Sequence, residues 1–263
     1  GEVVSGIIQR KEGRNVLVDL GKAAGYIPQE EQVPGEKYQI GDRIKVYIKQ
    51  VEKGSKGPDI LLSRTSEEIL KRVFYLEIPE VANGLIEIKA VAREAGFRSK
   101  VAIWTDSDSI DPIGSCVGQK GGRIQTIINE LSGERVDIVE YNDDPATFIT
   151  NALSPAKVLN VEVDEEKKRA QVKVSPDQFS LAIGKKGQNV RLTARLTGWK
   201  IDIVEHKEEG EEGEGAVYSS EYAQEGTSPE EIKEEDSDKE EEDEDKKEEV
   251  TDKNEEESEE VEE

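Results

Sequence analysis

A 263-residue chain with 60 acidic residues against 36 Lys and Arg, and a formal net charge of −24, reads at first as a poor match for nucleic acid. The acidity is unevenly placed, because residues 207–263 hold 29 Asp and Glu against 6 Lys whereas residues 1–206 hold 31 acids against 30 Lys and Arg. With one cysteine, Cys116, and one histidine, His206, the chain cannot assemble a disulfide framework or a Cys/His metal site, and no cofactor is expected.

A near-neutral body can still present a basic face, since phosphate affinity follows where Lys and Arg cluster. No run of about 18 apolar residues and no basic-then-apolar leader is present, so membrane spanning and secretion are not expected. A single thiol points to reducing, cytoplasmic surroundings. Position 1 is not Met, and residues are expected to precede Gly1.

The first 64 residues read as five short strands: Val3 to Gln9, Asn15 to Leu20, Gly25 to Pro28, Arg43 to Val51 and Asp59 to Ser63. Alternating or β-branched runs are separated by Gly13, Gly21, Gly41, Gly54 and Gly57. Five such strands suit a small closed barrel of the oligonucleotide-binding type. From Thr65 the period becomes helical, with Ile69, Val73 and Leu76 on one face and Pro79 as a stop.

Strands Leu85 to Arg93 and Lys100 to Thr105 follow, then a short helix from Asp111, a glycine-rich turn, a helix from Arg123 to Leu131 and a strand from Arg135 to Tyr141. This αββααβ order recurs. Pro145 to Leu153 is helical, Lys157 to Val163 and Arg169 to Val174 are strands, and Pro176 opens a short helix. A second glycine-rich turn, a helix from Asn189 to Leu196 and a strand from Lys200 to Val204 complete it.

The repeat is also legible letter by letter: Val117-Gly118-Gln119-Lys120-Gly121 stands 66 positions before Ile183-Gly184-Lys185-Lys186-Gly187. The predicted class is therefore multidomain: an all-β barrel over 1–64, two α+β units over 65–142 and 143–206, and an acidic tail over 207–263. The tail is too poor in apolar residues to offset its chain entropy and is expected to be disordered. Solubility is one role for it, and competition with RNA for a basic groove is a sharper one.

The candidate site is the G-x-x-G turn between helices, present as Gly118-Gln119-Lys120-Gly121 and Gly184-Lys185-Lys186-Gly187. Without Cβ atoms the glycines let a nucleic-acid backbone approach, and the next helix offers free N–H groups to phosphate. Lys120, Arg123, Lys185, Lys186 and Arg191 supply cations, Gln119, Gln188 and Asn189 supply amides, and Ile113, Val117, Ile124, Ile183 and Val190 supply an apolar floor. Such a groove grips about four nucleotides of single-stranded RNA with the bases splayed. A phosphate-binding P-loop needs G-K-[ST], which Gly184-Lys185-Lys186 lacks, and the dinucleotide fingerprint is absent.

Other residues have plainer readings. Cys116 is expected to pack as a small apolar group, Trp104 and Trp199 to pack in core or interface, and Tyr26 and Tyr47 to offer at most a weak stacking surface.

The tandem units resemble paired prokaryotic-type KH domains, and the barrel resembles an S1 RNA-binding domain. In this order, with Leu62-Ser63-Arg64-Thr65 at the junction, Asp111-Pro112-Ile113-Gly114-Ser115-Cys116-Val117-Gly118 before the first turn and Gly187-Gln188-Asn189-Val190-Arg191-Leu192 at the second, residues 1–206 resemble the NusA family of bacterial transcription factors. The resemblance implies binding to nascent single-stranded RNA beside RNA polymerase, without catalysis, in pausing, termination and antitermination, by a monomer. The family's N-terminal polymerase-docking domain has no counterpart here, and the tail is no general family feature. Two other readings stand beside this one: part of an RNA-processing enzyme, whose KH and S1 modules come in reverse order with a catalytic core, and a protein-binding adaptor.

Overall fold

The computed structural model describes residues 1–54, 57–206 and 216–221. Strands β1 (Val3–Glu12), β2 (Asn15–Asp19), β3 (Ala24–Ile27), β4 (Arg43–Gly54) and β5 (Gly57–Ser63) form a closed barrel in the order β1-β2-β3-β5-β4. The alternation seen in the sequence has its physical cause here. Ile8, Val16, Val18, Ile27, Val46, Ile60 and Leu62 point inward and are buried, and polar neighbours point outward. The barrel closes where short β3 meets β5 in parallel, Tyr26 opposite Leu61.

The first α+β unit opens with α1 (Glu67–Glu77), whose Ser66 cap accepts from the Glu68 N–H. Its buried face is Ile69, Leu70, Val73 and Phe74, all 0% exposed, whereas Leu76 is 50% exposed. The expected stripe was thus displaced by part of a turn. Pro79 does more than stop α1, since its fixed φ starts the short α2 (Pro79–Ala82). Strands β6 (Glu87–Glu94), β7 (Arg98–Trp104) and β8 (Arg135–Glu140) form one sheet, β6 antiparallel and β8 parallel to β7. A parallel pair needs a crossover, and α3 (Pro112–Val117) and α4 (Gly122–Glu130) supply it around the first glycine turn.

The second unit repeats the plan with α5 (Pro145–Ala152), β9 (Val158–Asp164), β10 (Arg169–Val174), α6 (Pro176–Ile183), α7 (Gln188–Thr197) and β11 (Lys200–Glu205). It then departs from its sibling. Val217–Ser219 forms β12, antiparallel to β11, and gives the sheet order β12-β11-β10-β9. The expectation that structure ends at 206 is corrected by this strand, and Tyr218 is 1% exposed in the unit's core. The disorder expected for the rest of the tail concerns residues 207–215 and 222–263, which lie outside the described residues.

Three units share continuous packing. Between barrel and first unit, Arg64 is ion-paired with Glu36, Ser132 donates to Glu36 at 2.6 Å, and Lys45 pairs with Glu130 at 2.7 Å. Tyr47, expected to offer a stacking surface, instead packs against the first unit's core. Between the two α+β units, Ala92 and Ala102 of one sheet meet Phe148, Ala152, Leu192 and Leu196 of the other unit's helices. No helix among the described residues is long and apolar enough to cross a membrane.

Lys100 sits at this second seam, 0% exposed, donating to Ser154 O at 3.2 Å and lying 3.4 Å from Asp137. Burial outweighs Asp137 and pushes its ammonium pKa down to about 8. The unfolded chain, with Lys at its ordinary value, binds the extra proton between pH 8 and 10.5, so stability rises with pH across that window. The expected gain approaches about 3 kcal/mol, and below pH 8 the cost of the buried charge is fully present. Urea unfolding at pH 8 and pH 10 should show this rise in the native chain and a flatter profile in Lys100→Met.

Candidate nucleic-acid interface

The two glycine turns are conformational copies. Gly118 and Gly184 have φ/ψ of 73/175° and 75/172°, Lys120 and Lys186 have 52/26° and 52/38°, and Gly121 and Gly187 have 76/15° and 69/13°. Each turn is tied by one bond of 3.1 Å, Gly121 N–H to Gly118 O and Gly187 N–H to Gly184 O. A lysine at positive φ is costly, and such strain collects where a chain must present a group in one direction. Here it sets an exposed ammonium at the start of α4 and of α7.

At Gly184 an added Cβ would lie 2.9 Å from the Asn189 backbone nitrogen, and at Gly118 it would meet only the Arg123 side chain, 2.7 Å from Cγ. The first glycine of each turn is therefore wedged against the following helix of the protein itself. An open cleft of about 510 Å3 lies beside the first turn, bordered by Gly118, Gln119, Arg123 and Thr126.

The candidate residues separate into two groups. Gln119, Lys120, Lys185 and Lys186 are exposed on the turns, with Gly118, Gly121, Gly184 and Gly187 forming the backbone between them. The rest are engaged by protein. Arg123 is paired with Glu80 at 2.9 Å and donates to Ser115 O at 2.6 Å. Gln188 donates to Glu94 at 2.8 Å, and Arg191 pairs with the same carboxylate at 2.5 Å. Asn189 is 1% exposed and donates its amide to Leu153 O, Ala182 O and Leu181 O, so its side-chain nitrogen is engaged by the protein's own backbone.

Glu94 is the residue that sequence patterning missed. Burial raises its carboxyl pKa, but the bonds from Arg191 and Gln188 outweigh this and hold it below the ordinary carboxylate range. It fastens the helix after the second turn to β6 of the first unit, a long-range pairing with no local signal. Glu80 of α2 holds Arg123 of α4 within the first unit.

Cysteine and tryptophan side chains are packed or half-packed. Cys116 is 0% exposed, and burial pushes its thiol up to about 12. Trp199 is 7% exposed beneath Lys168 at 4.7 Å, and Trp104 is half-buried under Lys89 at 4.3 Å. Among the described residues no group of three His, Cys, Asp or Glu could hold a metal ion.

Family models match in the order found above: an S1 RNA binding domain over residues 1–63, a NusA-like first KH domain over 64–141 and a NusA-like second KH domain over 145–211. A Halalkalibacterium halodurans protein described as transcription termination/antitermination protein NusA is 53% identical over 212 residues, 81% of this chain. The chain belongs to the NusA family. Further NusA relatives are 51% identical in Bacillus subtilis, over 89% of this chain, and 52% identical in Thermus thermophilus, over 78%. The chain spans 56%, 60% and 53% of the lengths of these three NusA proteins. The barrel is thus an S1 domain, and the two α+β units are NusA-like first and second KH domains.

Proposed function

We propose that this chain binds single-stranded nascent RNA through its two KH turns, with the S1 barrel as an accessory surface, and acts without catalysis beside RNA polymerase in pausing, termination and antitermination. It does so as a cytoplasmic monomer. The observation that carries this reading is the duplicated turn, with two superposable backbones that each present exposed lysine at a helix start. Relatives named for termination and antitermination support the transcriptional role.

Because Lys120, Lys185 and Lys186 are exposed, replacing all three by Ala should leave the thermal midpoint almost unchanged. Each single-strand phosphate contact contributes about 0.7 to the salt slope, so the slope of log K against log salt should flatten by about 2 and low-salt affinity should fall about tenfold or more. Native affinity and slope in the triple variant would refute the reading. RNA cleavage by the purified native chain would favour a processing enzyme instead.

A further inference from the structure

The two KH domains differ at the floor of the groove. In the first, Ile113 is 38% exposed and Val117 and Ile124 are half-buried, each next in sequence to a residue that borders the open cleft. In the second, the residues matching Val117 and Ile124, Ile183 and Val190, are both 0% exposed, and they share one apolar cluster with Tyr218.

Tyr218 arrives there through strand addition. β12 places it opposite Ile203 on the outer edge of β11. Ser220 closes one end, its N–H donating to Ile201 O at 2.7 Å and its Oγ accepting from Ile201 N–H at 2.9 Å, while Glu205 N–H donates to Ala216 O at 2.9 Å at the other. Lys200 and Glu221 pair at 2.6 Å beyond Ser220. The buried Tyr218 ring shares its apolar cluster with Val190 of α7, the helix that follows the second turn, and burial raises its hydroxyl pKa. In the first KH domain the matching strand, β8, ends its sheet, with no added strand among the described residues.

We propose that segment 216–221 is a built-in competitor for RNA at the second KH domain, holding the sheet edge and the apolar groove until the strand lifts away. The proposal rests on the RNA-binding reading above. The edge groups of Ile201, Ile203 and Glu205 are hydrogen-bonding positions that splayed bases could use, and the peptide now takes them. The flat Tyr218 ring, 1% exposed against the cluster that holds Ile183 and Val190, would have to leave before a base could stack there. Three strand residues form a short ladder, so displacement is within reach of an incoming ligand. RNA then engages the first domain before the second, and apparent affinity is reduced by the fraction of time that the second groove is closed. This competition works by shape and backbone pairing, apart from the bulk charge of the acidic tail.

The test uses the full chain and an unstructured RNA long enough for both domains, about 8 to 12 nucleotides at about four per domain. Val204 and Val217 face each other in a pair not bonded through the backbone, the closer kind, which suits a cross-strand disulfide. Val204→Cys with Val217→Cys should bind the RNA about tenfold more weakly when oxidised than when reduced, and Tyr218→Ala should bind about tenfold more tightly than the native chain. Lys185→Asp with Lys186→Asp should remove both differences.

Equal affinities of the oxidised lock, the reduced lock and Tyr218→Ala would overturn the proposal. If Tyr218→Ala unfolds, the oxidised and reduced lock alone decide. Where the lock has no effect but Lys185→Asp with Lys186→Asp still weakens binding, RNA recognition by the second domain stands and only the strand's role falls. Where that lysine pair has no effect either, it is the RNA-binding reading of this domain that fails.

Discussion

Glu134→Ala is expected to remove about 3–5 kcal/mol of folding stability, a large share of what a domain of this size commands. Glu134 is 0% exposed and accepts from Arg93 Nε at 2.9 Å, Arg93 Nη2 at 2.9 Å, Ser99 Oγ at 2.6 Å and the Gly96 N–H at 2.8 Å. Arg93 in turn donates to Arg64 O and Ser66 O, at the junction between barrel and first KH domain. Deleting the carboxylate strands a guanidinium in an interior it cannot leave without disturbing that junction. Replacing both residues with apolar groups should cost less than the single change, since no unpaired charge would remain. Urea midpoints of Glu134→Ala and of Arg93→Met with Glu134→Leu check both statements.

Gly184→Ala is expected to cost about 3 kcal/mol or more, combining strain at a φ/ψ region reserved for glycine with an overpacked contact. The contact is with backbone, 2.9 Å from Asn189 N, so the neighbour has no rotamer to change. Gly118→Ala has the same strain at φ 73° but meets a flexible Arg123 side chain, so its cost should be smaller. RNA affinity should fall in both, because the lysine held within each turn would lose its direction. An inverted order of stability loss, measured by denaturant unfolding, would show that the helix after the second turn can move.

Much of this was legible in the residues themselves. Period-2 runs bounded by glycine placed the barrel strands to within a few residues, and the 66-residue echo located both turns, since each is fixed by local backbone demands. What could not be read was pairing across the chain. Gln188 and Arg191 look like free polar groups on a helix start, and only the packed domains show Glu94 waiting for them. Strand β12 was hidden for another reason. Ala216-Val217-Tyr218 is a short apolar run inside an acidic, glycine-rich stretch whose composition alone forecasts no structure, and its partner strand supplies the order. Leu76 misled because a helix of 11 residues can satisfy two overlapping stripes, and the core chose Leu70 and Phe74.

The alanine and leucine seam between the KH domains, with the Glu94 clamp at its border, joins the two turns through solid packing rather than through a hinge. Their separation is consequently a property of the protein and works as a gauge. Under the proposed RNA-binding function, a transcript whose contacted stretches are spaced to suit can lie flat across both. One with an extra nucleotide between them has to loop it out, whatever its sequence. Selection among RNAs can thus arise from counting as well as from base identity, and loosening the seam at Leu192 or Leu196 would blur the count before it abolished attachment.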